Sequence, residues 1–162
     1  MRNLKPLVAA ILLSVSSVCS YSQDAAPVSE PNYNKPQLFS SLPDNIKVDI
    51  SSLKNLLTTS VGDAVSSSFS AEKTSASANS LVFSGQVIST ANKYNNKMQS
   101  VVIRSANFNG AGLTLTRYTN EEGITSYSGR IISFEHGDAY ELQLVNGEYQ
   151  FVKKKFHQLV NE

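Results

Sequence analysis

From Ser80 onward apolar residues recur with a period of two, and that alternation restricts what this chain can fold into more than any other feature. Successive side chains point to opposite faces only along a strand. A period of two, carried by β-branched and aromatic residues between turn signals, therefore specifies half-buried antiparallel strands. Tyr140, Leu142 and Leu144 alternate with Glu141 and Gln143, and Leu113 and Leu115 alternate with Thr114 and Thr116. Val101-Val102-Ile103 is a short continuous apolar run suited to a central strand. Asn95-Asn96, Asn109-Gly110, Glu122-Gly123, His136-Gly137 and Asn146-Gly147 fall between such segments, each with a residue that tolerates positive φ. The pattern predicts six strands in a meander.

Upstream the pattern is weaker. Ile46 to Ile50 is a short apolar alternation, and Ser51-Ser52 ahead of Leu53, Leu56 and Leu57 predicts a short helix near 51–58, capped by Ser or Asp. Ala64 to Ser70 predicts one more strand through Val65 and Phe69, and the Ser-, Ala- and Asn-rich stretch Glu72 to Ser80 reads as a loop. Gln23 to Gln37, with Pro27, Pro31 and Pro36 among polar residues, reads as a disordered tether. The expected fold is mainly β: a single antiparallel meander over residues 38–162, forming a curled sheet or incomplete barrel with one short helix. A two-sheet sandwich is the alternative.

Residues 1–22 have the pattern of a cleavable signal peptide, with Arg2 and Lys5 before an apolar stretch of twelve residues, Leu7 to Val18. A membrane span needs about 20 apolar residues, and this run is shorter and contains Ser14, Ser16 and Ser17. Cleavage after Ser22, or after Ser20, would release a secreted or periplasmic chain without a transmembrane segment. A minor alternative is a lipoprotein anchored through Cys19, although Ser16 and Val18 stand where a lipobox has a large apolar and a small residue. Without the leader the chain has no cysteine, so neither a disulfide nor a thiolate metal site can form. It then carries 12 Lys and Arg against 13 Asp and Glu in 140 residues. This near-neutral balance shows neither the basic excess of a nucleic-acid binder nor a polybasic membrane segment.

Phe83-Ser84-Gly85-Gln86-Val87-Ile88-Ser89 and Tyr127-Ser128-Gly129-Arg130-Ile131-Ile132-Ser133 share an aromatic-Ser-Gly-x-β-branched-Ile-Ser pattern. Glycine inside a strand permits a bulge or bend, so Gly85 and Gly129 are expected to curl the sheet. The functional alternative makes them a cleft for a ligand backbone. The strings SVVIRSANFNGAGLTLTR and YSGRIISFEHGDAYEL, residues 100–117 and 127–142, resemble those of small exported β-rich proteins of Bacteroidota bacteria, for which no activity is known. The resemblance implies a free-standing secreted domain over residues 38–162 and carries over no site residues. A fainter likeness is to the β-rich prodomains of secreted zinc metallopeptidases, which pair an x-S-G-x-V strand with a later strand ending near a tyrosine. The cysteine switch of such proteins does not occur among these residues.

Among chemical candidates, Glu135-His136-Gly137-Asp138 brings two carboxylates and an imidazole within four residues. With His157 it is the candidate hydrolytic site. A zinc site needs three or four converging ligands, and His157 stands at no ligand spacing from His136, so no metal or other cofactor is expected. The simpler reading has Gly137 making a turn, Asp138 bonding its own backbone and the charges facing water. No Gly-x-Ser-x-Gly elbow, phosphate-binding loop or dinucleotide fingerprint occurs. Lys153-Lys154-Lys155 beside Phe151 and Phe156, with Tyr149, is a candidate cationic and aromatic binding patch; alternatively the lysines blunt an edge strand. Tyr94, Tyr118, Tyr127 and Tyr140 suit either a recognition surface or cross-strand pairs. The expected function is an exported, non-enzymatic binding or interaction module for an exported protein or a cell-surface polymer. The alternatives are a small secreted hydrolase using Glu135, His136 and Asp138, and an inhibitor-like or prodomain-like partner of a protease.

Overall fold

The alternation becomes one antiparallel sheet. A computed structural model describes residues 34–70, 80–155 and 159; the signal peptide, most of the tether and of the Glu72–Ser80 loop, and His157 lie outside the described residues. The elements are β1 (Asn45–Lys47), α1 (Ile50–Leu57), β2 (Ala64–Phe69), β3 (Leu81–Lys93), β4 (Met98–Ser105), β5 (Ala111–Thr119), β6 (Thr125–Ser133), β7 (Asp138–Val145) and β8 (Glu148–Lys155). Their order across the sheet is β1-β8-β7-β6-β5-β4-β3-β2. The six strands from β3 to β8 form the expected meander, and the strand expected at Ala64 to Ser70 is β2, which pairs with β3. The sheet is single, so the sandwich alternative does not occur.

The sheet curls into a half-barrel. Its outermost strands approach through an isolated bridge, Lys47 to Ser70, and the rings of Phe69 and Phe151 meet at 5.3 Å. The curl has two visible sources, both in the repeated motif. Gly85 and Gly129 lie in phase with the buried residues of β3 and β6, and a Cβ built on them would stand 2.1 Å from the Arg104 carbonyl oxygen and 2.9 Å from that of Thr114. Only glycine lets the neighbouring strand come so close. Just beyond Gly85 the β3–β4 register slips between Val87 and Ser89, a bulge at Ile88 that sharpens the bend.

The concave face holds the core, with Leu81, Phe83, Val101, Ile103, Leu113, Leu115, Ile131, Tyr140 and Phe151 all essentially buried. The alternation fails at the strand ends: Leu144 is exposed although it is in phase with Tyr140 and Leu142. Helix α1 lies against this face. Asp49 caps it by accepting from Ser51 N at 3.1 Å, and Leu53 and Leu56 are buried, each contributing about 1.5–3 kcal/mol by removing an apolar side chain from water. Among the described residues no helix is long and apolar enough to cross a membrane.

Two local expectations are corrected. The last strand is not an edge: β1 pairs with β8 from Asn45↔Val152 to Lys47↔Gln150, and Lys153 N donates to Asp44 O, so lysines there do not blunt an open edge. The turn at Gly137 uses no positive φ, unlike Asn95, Asn96, Gly110, Gly123, Asn146 and Gly147. Glycine is needed there because the Lys35 carbonyl oxygen lies 2.9 Å from where its Cβ would be.

Candidate functional site

The cluster at the end of β6 serves to hold the chain together. Asp138 is 3% exposed, and its carboxylate accepts from Leu38 N at 2.7 Å and Phe39 N at 2.8 Å. These contacts seat Phe39 against Tyr140 and Phe108, at ring separations of 5.1 and 5.3 Å. Asp138 thus bonds backbone about a hundred positions away rather than its own, and it faces the interior rather than water; the expectation of a solvated local turn is overturned at this residue. His136 Nδ1 lies 2.7 Å from Ser133 Oγ, but Ser133 is fully buried and substrate cannot reach the hydroxyl. Glu135 is exposed. Around them Gly137 N donates to Pro36 O, and Lys35 Nζ donates to Phe134 O. Asp63 is occupied in its own turn, accepting from Ser60 N at 2.7 Å. No group of three or more metal-ligating side chains occurs among the described residues.

The lysine run does not form one patch, because consecutive residues in a strand face opposite ways. Lys153 shares the face of Tyr149 and Phe151; its Nζ donates to Leu42 O, stands 3.4 Å from Asp44 Oδ1 and lies 5.9 Å from the centre of the Tyr140 ring. Lys154 is on the other face, with Glu141 in its field. Lys155 is exposed at the strand end. Tyr149 is buried near the opposite end of β8, its hydroxyl accepting from Tyr127 N at 3.0 Å. Of the remaining tyrosines, Tyr94 and Tyr118 are exposed, whereas Tyr127 and Tyr140 are core. Burial, and then the nearby carboxylates Asp44 and Asp138, push the Tyr140 phenol far above its ordinary value, so it remains a donor to Pro43 O. At Gly85 and Gly129 the space on the side of the missing Cβ belongs to the neighbouring strand, while Gly129 also lines a hollow of about 400 Å³ with Thr114, Ser128 and Glu141.

Two places that the sequence pattern does not single out remain without a structural role for their charges. On the outer face a depression of about 580 Å³ lies over Gly112, with Ile88, Val102, Arg104, Ile132 and Phe134 in its lining. Gly112 is the source of the hollow, since a Cβ there would meet only the Ile103 carbonyl oxygen, at 3.6 Å. Arg130, in the same lining, is held by Glu141 at 2.9 Å. Burial alone raises the Glu141 carboxyl, but bonds from Gln143 and Arg130 outweigh it and hold the group below its usual value. The Arg104 guanidinium makes no hydrogen bond or ion pair among the described residues, and its lining contains no carboxylate. The second place, at the other end of β6 on the concave side, gathers Lys54, Arg117, Thr125, Tyr127 and Tyr149 beside Ile50.

Strand phase is the signal that would have found both. Arg104 follows Val101 and Ile103 in the outward phase, opposite Gly112 in the β4–β5 register. Arg117 stands in the inward phase of Leu113 and Leu115, an odd position for a charge. No family model, curated protein or solved structure matches the chain.

Proposed function

We propose that the chain is an exported, non-enzymatic interaction module, whose outer face takes an acidic, apolar-tipped segment of a partner protein. The observation that carries this reading is Arg104, which makes no ion pair among the described residues, beside exposed apolar side chains: Ile88 is 43% exposed and Phe134 76%. A cation without a counterion favours an anionic partner, and an exposed apolar rim gains by being covered. The engagement of Asp138 and Ser133 by the fold argues against a hydrolytic role for their cluster.

The test uses the double variant Ile88→Ser/Arg104→Glu, both substitutions lying at exposed positions, with an unchanged melting curve as the folding control. Proteins of the exported fraction that bind the wild-type domain should be lost from the double variant and from wild type at high salt, yet retained by Lys54→Gln. Equal capture by wild type and double variant would overturn the outer face as the docking surface.

A further inference from the structure

We propose a second, independent site at the concave end of the half-barrel: a pocket for a small anionic ligand that carries a flat or apolar body. Lys54 projects from α1, Arg117 and Tyr127 are cross-strand partners on β5 and β6, and Tyr149 comes from β8. Four elements therefore converge on a pocket of about 340 Å³. That volume lies at the small-molecule end of the range for ligand sites.

The charge in this pocket is one-sided. Its lining holds two cations and no carboxylate. Lys54 makes no ion pair or hydrogen bond among the described residues, and Glu121 and Glu122 in the turn beyond Thr125 make none with either cation. Arg117 is fixed by a bond from Nη2 to Asn96 O at 3.1 Å, while its Nε is buried without a hydrogen-bond partner among the described residues. A buried donor left without a partner is destabilising, the more so on a charged group, so this arrangement is poor as a purely structural device. An anion placed between the two cations would supply the countercharge that the protein withholds.

The other walls restrict the rest of the ligand. Tyr127 and Tyr149 meet edge to face with ring centres 5.4 Å apart, and Tyr149 is pinned by its bond from Tyr127 N. Both rings are nearly buried, so they form a rigid apolar floor, and Ile50, 43% exposed, adds an apolar wall. A small carboxylate or phosphate on an aromatic or aliphatic body matches cations above and rings below.

The experiment is a titration of the full domain with phenyl phosphate and with benzoate, followed by amide chemical shifts, using benzylammonium as the cationic control. Saturable shifts are expected at Lys54, Arg117, Thr125, Tyr127 and Tyr149 with at least one of the two anions, with a dissociation constant of about 1 mM or tighter, and none with benzylammonium. Lys54→Gln and Arg117→Gln should each weaken binding about tenfold, because each removes one of two charges meeting the anion. Lys54 is exposed, so its variant keeps the test valid if Arg117→Gln folds poorly. Absence of saturable shifts with both anions, or equal response to benzylammonium, would overturn the site. Neither result bears on the outer-face proposal, because Arg104 lies outside this pocket.

Discussion

The two ends of β6 carry comparable densities of charge and use them in opposite ways. At the Ser133 end the buried polar groups among the described residues have protein partners: Asp138 accepts from the Leu38 and Phe39 amides, and the Ser133 hydroxyl pairs with His136. At the Thr125 end Lys54 and Arg117 share a lining with no carboxylate, and one arginine nitrogen is buried unpaired. The sequence advertises the first cluster, because its residues are adjacent, and hides the second, because its residues are scattered from position 54 to 149. Satisfaction by the fold, and not density along the chain, separates structural charge from charge available to a ligand.

The largest expected effect would break the comparison at its structural end. Asp138→Ala strands two amide donors that now bond a carboxylate, each worth about 1.5–3 kcal/mol, so the domain should lose about 3 kcal/mol or more, read as a lower urea midpoint at unchanged slope. Anion-induced shifts at Lys54 should persist wherever that variant is folded. A loss below about 1 kcal/mol would mean that the Phe39 segment docks by apolar contact alone and that the charge at the first end is no more tied to the fold than the charge at the second. Ser133→Ala comes next, at about 1 kcal/mol, because it removes the bond to a half-exposed imidazole and a long one accepted from Glu135 N.

How far these differences were legible can be traced residue by residue. Alternation was sufficient for β3 to β8, and glycine at positions 85 and 129 correctly implied curvature, because a missing Cβ has a steric meaning that does not depend on distant residues. The role of Asp138 was not legible: its partners precede it by about a hundred positions, and nothing local distinguishes a solvated turn carboxylate from one reserved for a returning segment. The apparent lysine patch misled for a different reason. Adjacency in sequence becomes opposition in a strand, and β1, three residues long, was too short to announce that it would cover β8. Arg117 was marked only by a charge out of place in phase, Lys54 by nothing, and their convergence is a property of the curled sheet and the helix against it.

Acidification sharpens the contrast with a smaller effect. Bonds from Gln143 and Arg130 hold Glu141 below its ordinary value against the opposing pull of burial. A carboxyl depressed in the folded state contributes stability that is present above its unfolded value, near 4.3, and is lost as pH falls through the lower folded value. Glu141→Gln should therefore flatten that part of the acid limb of the stability curve. Substitutions at Lys54 and Arg117 should leave the limb unchanged, because no carboxylate lines their pocket. A steeper acid limb in the Lys54→Gln variant would reveal a carboxylate partner for the pocket and erase the distinction between the two ends.

The smallest expected effect is the most discriminating. Lys54 is exposed and makes no ion pair or hydrogen bond among the described residues, so Lys54→Gln relieves its repulsion from Arg117 and gives up only the weak attraction of a cation to the last turn of α1. Its stability in low salt should be equal to wild type or higher by up to about 0.5 kcal/mol, and the difference should vanish as salt screens the two cations. Asp138→Ala should show the reverse: a large loss that salt barely changes, because its bonds are buried. Should Lys54→Gln instead destabilise the domain by more than about 1 kcal/mol at every salt concentration, the lysine would be packing its stem against α1 and the sheet for structural reasons. The charge at the concave end would then belong to the fold no less than the charge at Asp138 does, and the case for a ligand there would fail with it.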